Sequence, residues 1–135
     1  MLTIGADYAL ARKTTWIFAG GGVDFRTVVA TRTAVYAFPR TEAEAIEALL
    51  AAPETTAKKL DAELVRRSEA ADIRVVEPLA VFRRILVYRG WFRRSVVLSK
   101  KATGFDARPA SIHPTKAEMP AFVTLLQALP QVELK

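Results

Sequence analysis

Two stretches of period-2 alternation, a helical segment between them and an amphipathic run near the end predict an α+β fold for this 135-residue chain. The expected architecture is an antiparallel, strongly bent sheet or partly open barrel. A two-helix insertion falls at about 41–71 and a C-terminal amphipathic helix at about 118–129. Length and composition fit one globular domain spanning 1–135, with 51% hydrophobic and 25% charged residues. Neither repeats nor a low-complexity linker divide it.

The first strands lie in residues 8–38. In KTTWIFA, Trp16 and Phe18 alternate with Thr15 and Ile17, the pattern of a pleated, half-buried strand. Gly20-Gly21-Gly22 breaks the run and can supply the positive-φ positions of a turn. VDFRTVVATRTAVYAF resumes it, with Thr31-Arg32-Thr33 as a second turn or a continuation, and Pro39 ends it because proline cannot donate a ladder hydrogen bond.

At Thr41 the period changes. Thr41-Glu42-Ala43-Glu44 has the form of a capping box, in which Thr and Glu each satisfy a free backbone N–H of the first turn. Ile46, Leu49 and Leu50 follow at helical spacing until Pro53. A second helix is expected over about 54–71, packed through Ala57, Leu60, Leu64, Ser68 and Ala71, with Glu54–Lys58 and Glu63–Arg67 pairs on its outer side. So narrow an apolar stripe suits a helix lying on a sheet edge or on an existing core.

Strand character returns at Ile73 and continues through IRVVEPLAVF, FRRILVYRGWFRR and SVVLSKKATGFDARPASI. Finally, Met119, Phe122, Val123, Leu126 and Leu129 mark an amphipathic helix closed by Pro130. Thr115 and Glu118 form a second capping-box pattern, yet Pro120 would remove a hydrogen bond from a helix starting there. A loose first turn, with the regular helix beginning near Met119 or Pro120, satisfies both signals.

Catalytic and metal signatures are sparse. The chain has no cysteine, which excludes disulfides, a thiolate nucleophile and thiolate metal sites, and it fits a cytosolic setting. His113 is the single histidine, which rules out a zinc site of ordinary ligand count. The glycine run lacks the strand-to-helix context and the lysine of a phosphate loop. Glu42, Glu44 and Glu47 sit on the outer side of a predicted helix, where capping and solvation account for them. No window approaches the run of about 18 apolar residues that a membrane span needs. No catalytic, metal or cofactor-binding residue is therefore assigned, and the expectation is a protein without enzymatic activity.

Charge is the stronger signal. Residues 1–40 hold five basic and two acidic groups (+3), 41–72 four and eight (−4), 73–110 nine and two (+7), and 111–135 balance, for a net +6. Positive charge concentrated in one segment points to an acidic or anionic partner, unless the acidic segment neutralises it internally. Within FRRILVYRGWFRR, Arg89-Gly90 reads as the two-residue loop of a hairpin that sets Tyr88 opposite Trp91, Leu86 opposite Arg93 and Ile85 opposite Arg94. Strand alternation then puts Ile85, Val87, Val96 and Leu98 on a core face, with Arg83 and Arg94 reaching to its edge. Arg84, Tyr88, Trp91 and Arg93 share the other face, with Arg89 at the tip and Lys100 and Lys101 beyond the second strand. Those seven are the candidate partner-binding residues, since Arg forks suit carboxylates and phosphates while Trp and Tyr suit apolar groups, bases or a membrane interface. A helix covering a Tyr88–Trp91 pair would leave the arginines only solvating strand ends.

Strands followed by more strands and the helix in EMPAFVTLLQAL, together with VVATRTAVYAF, resemble the small bacterial pleckstrin-homology-like domains over residues 8–38 and 73–129. The resemblance implies a bent sheet plugged at one end by the terminal helix. Lys13 is followed by Asp24-Phe25-Arg26, without the middle basic residue of the phosphoinositide-binding pattern. Protein binding is thus implied at least as much as lipid recognition. The function expected is a cytoplasmic, non-catalytic binding or scaffold domain. It would engage an acidic protein, or its own copies, through its sheet and basic hairpin. Nucleic acid or an anionic membrane surface stands as the alternative.

Overall fold

A computed structural model describes residues 1–18, 22–70, 76–107 and 109–135 of the chain. It is an α+β structure in which eight strands take the order β4-β3-β2-β1-β7-β6-β5-β8. These are β1 (Tyr8–Phe18), β2 (Gly22–Thr31), β3 (Ala34–Pro39), β4 (Val76–Pro78), β5 (Arg84–Arg89), β6 (Arg94–Ser99), β7 (Ala110–Ile112) and β8 (Val132–Leu134). The helices are α1 (Ala43–Ala51), α2 (Ala57–Ala70) and α3 (Met119–Leu126). Two four-strand halves meet at a short ladder, where Trp16 pairs with Ile112 and Ile17 with Ser111. The edge strands β4 and β8 do not pair with each other, so the sheet does not close into a barrel.

The N-terminal half is a meander, as the alternation predicts. Thr31 closes its second turn: its Oγ1 accepts from the Thr33 and Ala34 amides at 3.2 Å. The register between β1 and β2 shifts between Ala11 and Thr14. Groups freed at this irregularity find side-chain partners, because Arg12 N donates to Glu118 Oε2 at 2.9 Å and Thr27 Oγ1 donates to the Arg12 carbonyl at 2.7 Å. The expected glycine turn falls on Gly20 and Gly21, outside the described residues, as do Ala71 and the start of the second strand region at Ile73.

Alternation sends neighbouring side chains of β2 and β3 to opposite cores. Val28, Ala30, Val35 and Ala37 join Ile85, Val87, Val96, Leu98, Ile112 and the α3 residues Met119, Phe122, Leu125 and Leu126. Strands from both halves share this core, so the sheet wraps α3. On the reverse side, Val29, Tyr36 and Phe38 pack with Ile46 and Leu50 of α1 and with Leu60 and Leu64 of α2. The narrow stripe of α2 therefore lies on an existing sheet. Asp61 at its border accepts from Tyr36 Oη at 2.6 Å and Thr31 Oγ1 at 2.8 Å.

Four details differ from the sequence expectation. Helix α1 starts after a 3-10 turn over Arg40–Glu42, and no side chain caps it, so the Thr41–Glu44 box does not form. Glu42 is held by Arg67 of α2, which donates from Nε at 2.9 Å and also from Nη2. Arg67 is thereby drawn away from Glu63, whose partner is Arg66 at 2.9 Å. A guanidinium reaching between two packed helices displaces the intrahelical pair. Ala57 is exposed at the first turn of α2 rather than packed. Nor is the sheet wholly antiparallel: β8, returning after α3, runs parallel to β5.

Both signals at α3 are satisfied as expected. Thr115 N donates to Glu118 Oε1 at 2.9 Å and Glu118 N to Thr115 Oγ1 at 3.2 Å, a reciprocal box around a loose turn. The regular helix begins at Met119, and Pro120 sits in the first turn, where its missing N–H costs nothing.

Candidate functional site

The β5–β6 hairpin forms, but in another register. Tyr88 pairs with Ser95, Val87 with Val96, Leu86 with Val97, Ile85 with Leu98 and Arg89 with Arg94. The connection is therefore Gly90–Arg93, not the two-residue Arg89-Gly90 turn. This register matches Val87 to Val96 and Ile85 to Leu98 on the buried face, whereas the expected one would have set arginines against Leu86 and Ile85. The displacement is even, so each strand side chain keeps its predicted face. Trp91 and Phe92 leave the ladder and stand at the tip, 84% and 86% exposed, with ring centroids 3.9 Å apart. No helix covers Trp91.

The seven candidate residues divide between two sides of the hairpin and the loop that follows β6. On one side Arg93 lies over the Tyr88 ring, its guanidinium carbon 3.8 Å from the centroid. Arg84 shares that side but is tethered, its Nη2 donating to the Gly104 carbonyl at 2.9 Å and its Nε 3.9 Å from Glu133 Oε2. A cavity of about 360 Å3 opens here, with exposed Phe105 on its wall. Lys100 and Lys101 belong to the following loop. The Lys101 ammonium donates to the Phe105 carbonyl at 3.3 Å, and the Lys100 amide to Asp106 Oδ2 at 3.3 Å. Neither lysine joins the tip.

On the other side, Arg89 and Trp91 face α3 across a groove of about 490 Å3. Arg94 and Lys116 add two more cations to its walls, and Met119, Pro120 and Val123 supply an apolar floor. Arg94 reaches the edge of the core face as expected, but its Nε donates to the Pro114 carbonyl at 3.0 Å, not to an acid. Among the described residues, no carboxylate lines this groove. Glu118, adjacent in sequence to Met119, has one oxygen on Thr115 N and the other on Arg12 N.

Sequence reasoning missed Arg94, Lys116 and the α3 contribution. The available signal was that Pro120 and Val123 fall on one side of α3 with Lys116 one turn earlier, but nothing in the sequence said that the hairpin tip lies against that turn. His113, just after β7, donates its backbone N–H to Thr14 Oγ1 at 2.6 Å and has Nε2 3.2 Å from Ser111 Oγ. Desolvation of the ring, and then the charge of Arg93, hold its imidazolium pKa below the ordinary histidine value, although the residue as a whole is exposed. Among the described residues, no group of three or more His, Cys, Asp or Glu could hold a metal ion, and no helix is long and apolar enough to cross a membrane. No protein-family model, curated protein or solved structure matches the chain.

Proposed function

We propose that the protein is a non-catalytic binding or scaffold domain of pleckstrin-homology-like type, working in the cytoplasm and engaging an acidic protein partner through the β5–β6 hairpin. The observation carrying this reading is the tip itself. Two adjoining aromatic rings, tilted to one another, stand in water at the end of a hairpin flanked by Arg89, Arg93 and Arg94. Isolated exposed apolar residues are ordinary, but an exposed aromatic pair ringed by cations combines the residue types enriched where interfaces carry most of their binding energy. The +7 balance of residues 73–110 adds long-range attraction for acidic surfaces.

Retention on immobilised poly-glutamate, compared with heparin and with vesicles of phosphatidylserine and phosphatidylcholine, tests the reading. The wild type should be retained by poly-glutamate, and Arg89→Ala/Arg93→Ala should elute at clearly lower salt. Retention by heparin or vesicles alone would favour a nucleic-acid or anionic-membrane role, the second reading, which draws on the same exposed Trp91 and Phe92. Sedimentation at increasing concentration would show whether the acidic α1–α2 segment of a second copy is the partner.

A further inference from the structure

The groove between the hairpin tip and α3 has a composition that a general attraction for acids does not require. A merely attractive surface needs exposed, mobile cations. Here three cations, Arg89, Arg94 and Lys116, surround a concave floor formed by Met119, Pro120 and Val123, with Trp91 as one wall. Its volume, about 490 Å3, lies within the range of small-ligand and side-chain pockets. Arg94 is half-buried and held at Nε by Pro114, so its terminal nitrogens have a restricted position from which to receive one carboxylate as a fork. Trp91 stands with its ring centroid 3.9 Å from that of Phe92, which gives the wall a broad aromatic surface.

We propose that this groove seats a short acidic peptide segment carrying one large apolar side chain. The apolar group rests on Met119, Pro120 and Val123 beneath Trp91, and flanking Asp or Glu carboxylates meet Arg94 on one side and Arg89 or Lys116 on the other. The inference rests on the acidic-partner reading and names the partner's local chemistry. Concavity favours a peptide over a bilayer: a flat anionic surface can touch Trp91 and Phe92 but cannot bring its charges to a recessed Arg94 while filling the floor. The tethered Arg84 and the stacked Arg93 lie on the opposite side and form no part of this seat.

Calorimetric titration of the full chain tests the groove. The probes are an amidated peptide of glutamates around one central Phe, the same peptide with Ser for Phe, one with Gln for every Glu, and phosphatidylserine-containing vesicles. The Phe peptide should bind about tenfold to a hundredfold tighter than the Ser peptide, the gain expected when a large apolar side chain leaves water. Lys116→Glu and Trp91→Ala should each weaken it by about tenfold. Lys58→Glu on α2, a matched charge reversal at another exposed site, should leave it unchanged. All three positions are exposed, and circular dichroism of each variant checks that the fold persists. Equal affinities for the Phe and Ser peptides would overturn the groove while leaving acidic-partner binding in place, and binding of the Gln peptide as tight as that of the Glu peptide would overturn both. Binding of vesicles but of no peptide, with no poly-glutamate retention, would overturn both.

Discussion

Removing the carboxylate of Asp61 should uncouple α2 from the sheet. Tyr36 and Thr31, each 2% exposed, both direct hydroxyl protons to Asp61 Oδ1, at 2.6 and 2.8 Å. Hydrogen bonds to a charged acceptor contribute about 1.5–3 kcal/mol each, and a buried donor left without its partner costs about 1–3 kcal/mol. Thr31 retains contacts within its turn, with Ala34 O at 3.4 Å as an alternative acceptor. The Asp61→Ala cost is therefore carried mainly by Tyr36 and should total about 3 kcal/mol. Urea unfolding followed by circular dichroism would read it as a lower midpoint at unchanged slope. In a double-mutant cycle, Tyr36→Phe should remove much of the penalty, since the donor disappears with its acceptor, leaving a coupling of about 1–2 kcal/mol. Burial first, and then the Asp61 bond and charge, raise the Tyr36 pKa well above the usual phenol value. With the folded pKa above the unfolded one, this contribution is complete below about pH 10 and is lost as pH climbs beyond it. Asp61→Ala within about 0.5 kcal/mol of wild type, or an additive cycle, would refute this account.

Other substitutions test the remaining structure. Phe122→Ala removes the central, fully buried ring of α3 and should cost about 3–5 kcal/mol in urea unfolding. Glu118→Ala leaves Thr115 N and Arg12 N without their side-chain acceptor and should cost about 1–2 kcal/mol, with Glu118→Gln milder. Trp91→Ala and Phe92→Ala should each change stability by no more than about 0.5 kcal/mol, because both rings already stand in water. A large loss at either would mean that the tip packs against something. As pH falls through about 6.5, the depressed His113 pKa makes protonation favour the unfolded chain, so stability should drop slightly there, and His113→Gln should flatten that part of the profile.

Periodicity exposed the helices and the 84–99 hairpin because each buries one face, whereas β2 and β3, covered on both, were legible from their strand-forming residues. Capping-box chemistry located α3 but misplaced the start of α1, which the chain enters through a 3-10 turn over Arg40–Glu42 with no side-chain cap. The hairpin shows the limit most clearly. Local turn rules favoured a loop at Arg89-Gly90, but the apolar match of Ile85 and Val87 to Leu98 and Val96 decided the register, and it lengthened the loop to Gly90–Arg93. Trp91 and Phe92 were expelled as a consequence. Likewise the groove joins residues 89–94 to 116–124, a pairing set by how the sheet wraps α3 and by nothing local.

Strands β2 and β3 carry both cores at once, with Val28 turned to one side and Val29 to the other. Opening either side of the molecule leaves these amides covered from the other, so they should exchange with deuterium only through global unfolding, the slowest route available. The hairpin tip has no such cover and should exchange fastest among the described strand connections. A partner gripping Trp91 or Arg89 thus acts on a hairpin set apart from this doubly shielded hub by β7 and β1. The tip can bend to fit while the hub stays closed.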